Sequence, residues 1–308
     1  MQTVSASGLE LSRLGIGTVQ WGLDYGVANV NGRPGPEQID AMLTEAHTAG
    51  VNFLDTARAY GDSETVIGEA LRRTQLADRF VICSKFKYAG GDPAEEAERS
   101  IRESLSCLKL ESLPFYLLHH AENAFRPGVW PAMLRGRDRG YTKRLGVSIS
   151  KDAIDLLRRT MKLEGMEAVQ IPLNVFDVQL VTSGILDELA GRGVTVFVRS
   201  VFLQGVIGMA EEKVPEYLKD IIPFKRRFND LAKSIGRDVW ELACMFPLSL
   251  PGVSAVVIGC ERPEQLRQNI RLTQCPPLTG EQIREILTLS ADVPRFLIEP
   301  WQWSEYRK

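Results

Sequence analysis

The sequence predicts a (β/α)8 barrel of the TIM type, with a short N-terminal β-hairpin ahead of it and a C-terminal tail over its mouth. Three observations carry that prediction. Apolar runs of strand length alternate with helical periodicity along nearly all of the 308 residues, which implies parallel strands and an α/β class. Counting from LGIG there are eight such runs, each followed by a helix, a number that favours closure into a barrel over an open sheet. Polar groups also recur near the ends of successive runs: Asp55 and Tyr60 in NFLDTARAYG, Lys85 in FVICSKF and His119 in FYLLHH. Asp55 to Lys85 is 30 residues and Lys85 to His119 is 34, against roughly 31 per β/α unit in a barrel of about 250 residues.

The elements follow in order. VSASGLELS, with Gly8 between two half-alternating runs, reads as a hairpin, and Leu14–Gly17 as the first strand. PEQIDAMLTEAHT has helical period, with Pro36 at its start and Gly50 past its end. NFLDT, RFVICSKF and FYLLHH are the next strands, separated by SETVIGEALRR and AEEAERSIRESLSCLKL as helices. A helix near 128–139 precedes the strand RLGVSIS; then come helix KDAIDLLRRTMKL, strand AVQIPLN, helix SGILDELAGRG and strand VTVFVRS. After a longer insertion, helix DVWELACMFPLSL, strand SAVVIG and helix PEQLRQNIRL complete the set. An open doubly wound sheet is the alternative. GIGTVQWG weakens it, having Gly15 and Gly17 but no third glycine in place and no helix expected directly after.

No linker composition divides the chain, so residues 1–308 are expected to form one domain. A net charge of −2 and a pI near 6.1 give no field for nucleic acid or an anionic membrane. The one short basic cluster, Lys225, Arg226 and Arg227, reads as a solvated helix face. The start lacks a signal-peptide core and no window reaches the ~18 apolar residues of a span, so a cytoplasmic protein is expected. Five scattered cysteines without a CxxC pair argue against a disulfide framework or a zinc site.

A phenol beside an ammonium is a tunable acid: a cation within ~4–6 Å favours the phenolate and moves the pKa down from about 10. Asp55 would hold Lys85 charged and in place, and an imidazole in the same pocket can orient a substrate oxygen. These groups suit protonation of a carbonyl oxygen while hydride arrives at its carbon. No side chain supplies hydride, so a nicotinamide is required. A barrel isomerase or lyase, which would bind no nicotinamide, is the reading without redox.

With LGIGT, LDTARAYG followed by SETVIGEAL, SKF, LLHH, LGVS, VQIPLN, RSVFLQG and VIGCERPEQLRQNI in order, residues 8 to 272 resemble the aldo-keto reductase family. The resemblance implies a barrel that binds NADP(H) in extended form without a Rossmann motif, and reduction of a small-molecule carbonyl compound. It assigns Tyr60 as general acid, Lys85 and Asp55 as its tuning pair and His119 as the carbonyl-orienting residue. A nicotinamide-binding regulatory or sensor subunit, similar to the potassium-channel β subunits, is the alternative on the same fold.

Among cofactor contacts the resemblance implies Thr18, then Ser148 and Gln170 for the carboxamide, although Ile149 replaces the usual Asn. Arg199 stands where a ring-stacking Tyr is common; a planar guanidinium also stacks. Ser200, Phe202, Gln204 and Gly205 match the pyrophosphate loop. Gly259, Cys260, Arg262, Gln265 and Asn269 match the adenine end, where the helix from Pro263 offers its N-terminus to phosphate. Gly259 replaces a common Lys, which leaves Arg262 as the cation for a 2′-phosphate. NADP(H) is therefore preferred, with NAD(H) as the alternative because Glu261 repels phosphate.

For the substrate, Trp21, Tyr25, His120 and Trp130 are on segments feeding the mouth. On a regular strand His119 and His120 point to opposite sides, and the family pattern selects His119. Trp301, Trp303 and Tyr306 place aromatics in the tail, for closure over the substrate, packing or a homo-oligomer contact.

Overall fold

In the structure, a computed structural model, residues 1–150 and 153–303 are described. Thr3–Ala6 (β1) and Leu9–Ser12 (β2) form the expected antiparallel hairpin. The eight strands of the closed, all-parallel barrel are Leu14–Gly17 (β3), Phe53–Asp55 (β4), Val81–Phe86 (β5), Leu113–Leu118 (β6), Thr142–Ser148 (β7), Met166–Pro172 (β8), Thr195–Arg199 (β9) and Ala255–Gly259 (β10). They follow chain order around the ring, with β10 closing on β3. In register, Asp55 pairs with Gly17 and Gly17 with Gly259, so these strand ends share one mouth.

Side chains fill the barrel. Phe53, Phe115 and Phe197 meet across it, with ring centroids 4.5 Å apart for Phe53 and Phe197 and 5.3 Å for Phe115 and Phe197. A Cβ on Gly15 would stand 2.3 Å from the Phe53 ring, so only glycine lets that ring lie inside. The hairpin plugs the N-terminal end: Ala6 and Leu11 join the interior cluster, Ser7 Oγ is 2.8 Å from Thr195 Oγ1, and Arg144 Nε donates to the Ser7 carbonyl (2.6 Å). That leaves the C-terminal end as the working face.

Outside, helices alternate with the strands where the periodicity placed them, from Pro36–Thr48 to Pro263–Leu272. Their start signals are physical. Before Pro93–Leu108, for example, Asp92 Oδ1 accepts from the backbone N–H groups of Ala94 and Glu95, both at 2.9 Å. No helix among the described residues is long and apolar enough to cross a membrane.

Several expectations are corrected. A four-residue helix, Val19–Gly22, does follow β3 directly. The insertion after β9 contains the helix Ile222–Ser234, and Lys225 on it is buried with only 1% exposure. Lys225 falls on the face shared with Phe228 and Ala232, at the i, i+3, i+7 spacing of a packed stripe. Arg226 and Arg227 do face solvent, paired with Glu211 and Asp292. Two more helices, Gly280–Ser290 and Arg295–Ile298, lead the tail past the mouth. There Ser290 Oγ donates to the Val175 carbonyl and Arg295 Nη1 to Gln179 Oε1 (2.5 Å), in the loop after β8. Trp303 is fully buried, its Nε1 bonded to the Phe296 carbonyl (3.0 Å), so it packs the tail down; Trp301 is exposed and Tyr306 lies outside the described residues.

Candidate active site

Asp55 ends β4, Lys85 projects from β5, and His119 follows β6, so three adjacent strands deliver three of the four groups to one place. Tyr60 comes from the loop after Asp55, and glycines seat that loop. A Cβ on Gly22 would be 1.9 Å from the Tyr60 carbonyl, and one on Gly61, which has φ +59°, would be 2.4 Å from the Gly22 carbonyl. Ser63 Oγ then ties the turn to β3, donating to the Thr18 carbonyl (2.9 Å). Thr18 Oγ1 donates to the Asp55 carbonyl (2.9 Å), so its hydroxyl is engaged in fixing Asp55.

Lys85 is fully buried. Its Nζ donates to Asp55 Oδ1 (2.7 Å), Asp55 Oδ2 (2.8 Å) and the Thr56 carbonyl (2.9 Å), which uses all three protons. Gln170 Nε2 also donates to Asp55 Oδ1 (2.8 Å), a third contact to that carboxylate. Lys85 Nζ also lies 5.1 Å from the centroid of the Tyr60 ring, so it acts on the phenol through its field. Burial alone would drive the Lys85 ammonium toward neutrality. The field of Asp55, joined by those of Tyr60 and Cys83 and by the hydrogen bonds to Asp55, outweighs that, and the pKa rises.

Tyr60 corrects a simple expectation. Burial raises its pKa above the ordinary 10, Lys85 opposes with its positive field and Asp55 adds to the rise, and the net direction is up. The resting phenol is therefore firmly protonated, which a proton donor needs. The His119 ring meets Tyr60 edge to face, with centroids 5.8 Å apart. Burial, then the fields of Lys85 and of the neighbouring His120, push its pKa down to about 3, so the imidazole is neutral. Its Nδ1 is buried with no partner. Because β6 ends at Leu118, strand alternation does not govern the next two residues, and the His119 and His120 rings lie side by side at 5.1 Å.

Around these groups the candidate cofactor residues form an arc over β7 to β10 and β3. Ser148 and Gln170 are register partners at the ends of β7 and β8. The Arg199 guanidinium reaches back across β8, with Nη2 donating to the Ile149 carbonyl and Nη1 to Ser200 Oγ, both at 3.0 Å. Phe202, Gln204 and Gly205 are in a tight turn with Gln204 at φ +54° and Gly205 at φ +89°. Gln204 Nε2 donates to the hydroxyl of Tyr25 (3.2 Å), an exposed residue on the rim. At the start of Pro263–Leu272, Gln265 Oε1 accepts from the N–H groups of Glu261 (2.7 Å) and Arg262 (3.1 Å), Asn269 is buried, and Arg262 is exposed with no ion pair among the described residues.

Three candidates point elsewhere. Trp21 is fully buried and donates from Nε1 to the Cys260 carbonyl (3.0 Å). Trp130 is buried with Nε1 on the Glu164 carbonyl (2.9 Å). Both rings pack the scaffold, Trp21 from the short helix after β3 and Trp130 from the helix Val129–Asp138. The Cys260 side chain faces the core beside Met42 (3.7 Å), and burial pushes its thiol up to about 12, so only its backbone is offered to the mouth.

One residue escaped the sequence reading. Gln20 lies over Gly259, and a Cβ there would be 2.5 Å from both ends of its amide; its Oε1 is buried with no partner. The signal was Gly259 itself, whose missing side chain leaves room for a neighbour. Two unpartnered buried atoms, on Gln20 and His119, thus face a mouth with the donors and acceptors that a nicotinamide dinucleotide requires.

Comparison with known proteins bears on the fold and on the family. The sequence profile described as "Aldo/keto reductase family" matches residues 13–291. L-galactose dehydrogenase of Arabidopsis thaliana is 25% identical over 286 residues, covering 88% of this chain and 86% of that protein. The aldo-keto reductase YhdN of Bacillus subtilis is 23% identical, covering 97% of each. Among solved structures, the holo form of aldo-keto reductase AKR11C1 from Bacillus halodurans superposes with a TM-score of 0.77 at 20% identity, over 97% of this chain and 99% of that one.

Proposed function

Because the chain belongs to the aldo/keto reductase family of oxidoreductases, we propose that it reduces an aldehyde or ketone to an alcohol with NADP(H), Tyr60 supplying the proton. The observation that carries the reading is the buried Lys85 and Asp55 pair set beneath a protonated phenol and beside a neutral imidazole. The nicotinamide supplies hydride, which no side chain can. Neutral His119 donates a ring N–H to the carbonyl oxygen and fixes its position. As the carbon gains hydride, the Tyr60 hydroxyl gives its proton to that oxygen, and the C=O becomes CH–OH. The phenolate left behind is stabilised by the Lys85 ammonium, which Asp55 keeps charged.

Ser148, Gln170 and Arg199 would hold the nicotinamide end, Gln20 and the turn at Gln204 the middle, and Gln265, Asn269 and Arg262 the adenine end. The free, exposed Arg262 favours a 2′-phosphate, and Glu261 works against it. A polar rim of His120 and Tyr25 suits a small polar carbonyl compound; the name L-galactose dehydrogenase on one relative is in keeping with a sugar. The test is to mix protein with NADPH and a panel of sugar and aromatic aldehydes and follow loss of dihydronicotinamide absorbance. Multiple turnovers support an enzyme, a single slow oxidation of bound cofactor supports a sensor subunit, and no cofactor binding defeats both.

A further inference from the structure

An ammonium buried without a carboxylate is costly, and Lys225 is such a group. Its Nζ donates to two consecutive backbone carbonyls, those of Val206 (2.6 Å) and Ile207 (2.5 Å). Burial pushes its pKa down to about 8, and the one charge that opposes this, Glu211, is itself bound to Arg226. A lysine held this way does little for the fold that an apolar side chain would not do at lower cost. What it holds is therefore the informative part.

The two carbonyls lie at the far end of the segment that leaves β9. Ser200, Leu203 and Gln204 all have left-handed φ, at 63°, 48° and 54°, followed by Gly205 at 89°. Non-glycine residues in that region are strained and persist only when their surroundings enforce them. The enforcement is on both flanks. On one, Trp240 meets the Phe202 ring edge-on at 5.1 Å and lies on Gly208, where a Cβ would be 2.1 Å from its ring. On the other, Gln204 accepts at its carbonyl from Ala28 N–H (3.3 Å) and at Oε1 from Val27 N–H (3.2 Å). The segment is a strained strap running from β9 to the residues after β3, with Lys225 fastening its outer end.

We infer that Lys225 is a positioning residue that keeps this strap closed over the bound dinucleotide and so sets how long the cofactor stays. The inference rests on the dinucleotide reading above. Without the ammonium, the carbonyls of Val206 and Ile207 would seek water, and the strain in the turn would be relieved by opening.

The test uses wild type, Lys225→Met and Lys225→Arg, with cofactor release followed by displacement in a stopped-flow fluorimeter. Lys225→Met should release NADPH about tenfold faster or more and raise its KM, while kcat does not fall and Tm changes little, because the lost bonds are offset by removal of a buried charge. Lys225→Arg, which retains donors, should recover part of the slow release. Release from Lys225→Met at the wild-type rate would overturn the inference, as would a loss of kcat, affinity and Tm in parallel. A wild-type protein that binds neither NADPH nor NADH would remove the dinucleotide reading first and this inference with it.

Discussion

The ammonium of Lys85 lies 2.7 and 2.8 Å from the two carboxylate oxygens of Asp55 and gives its remaining proton to the Thr56 carbonyl, so it has none to share with Tyr60. In this arrangement the influence of Lys85 on the phenol is electrostatic. Its strength depends on Asp55 and Gln170 keeping the ammonium where it is.

A buried pair is revealed by breaking it. Asp55→Asn leaves a fully buried ammonium without its counter-charge, which costs about 3–5 kcal/mol. Urea unfolding should show a loss of that order for Asp55→Asn, whereas Lys85→Met combined with Asp55→Asn should be distinctly more stable than Asp55→Asn alone. Additive losses would show that the two side chains do not support one another.

Field tuning also fixes the sign of a pH effect. The reductive rate should hold through neutral pH and decline only on the alkaline side of 10, where Tyr60 loses its proton. Removing the ammonium leaves Asp55 to raise the phenol further, so Lys85→Met should be slower and its alkaline decline should move to higher pH. A decline that moves to lower pH contradicts the field argument.

His119 carries a linkage prediction. The unfolded chain takes up a proton near pH 6.5, and the folded chain does not until about pH 3. Stability should therefore fall as the pH drops through that window, by up to ~1.4 kcal/mol per pH unit. In His119→Gln the decline should be shallower by about one proton, as read from unfolding free energies between pH 4 and 7. Identical slopes would mean that the ring is not held neutral.

The proposed preference for NADPH rests on two neighbours of opposite sign, Arg262 and Glu261. Charge-assisted hydrogen bonds contribute about 1.5–3 kcal/mol, roughly ten- to a hundredfold in affinity. NADPH should bind more tightly than NADH by that factor. Arg262→Ala should erase the difference and hardly alter NADH. Equal affinities in the wild type would give Glu261 the deciding role, and Glu261→Gln should then favour NADPH.

Much of this was legible in the sequence, for identifiable reasons. Strand and helix periods placed the barrel, and Asp55, Lys85 and His119 could be brought to one end of it from the sequence because each sits at or just past a strand end, where geometry leaves little choice. Side chains beyond the strand ends are a different matter. Trp21 and Trp130 were expected at the mouth and pack the scaffold, because both stand on helices whose docked face the strand period does not fix. Lys225 was hidden in a run of three basic residues, and only its register with Phe228 and Ala232 marked the buried face. The contact between Gln170 and Asp55 links residues 115 positions apart, and no local pattern carries it.

The central claim is that Tyr60 is the proton donor, and Tyr60→Phe tests it most directly. The variant keeps the ring against Lys85 and His119 and loses only the hydroxyl. Single-turnover reduction at saturating NADPH should fall by about 10²–10⁴, the usual contribution of a general acid, with the NADPH dissociation constant nearly unchanged. A variant that keeps most of the wild-type rate at the same cofactor affinity would contradict the account.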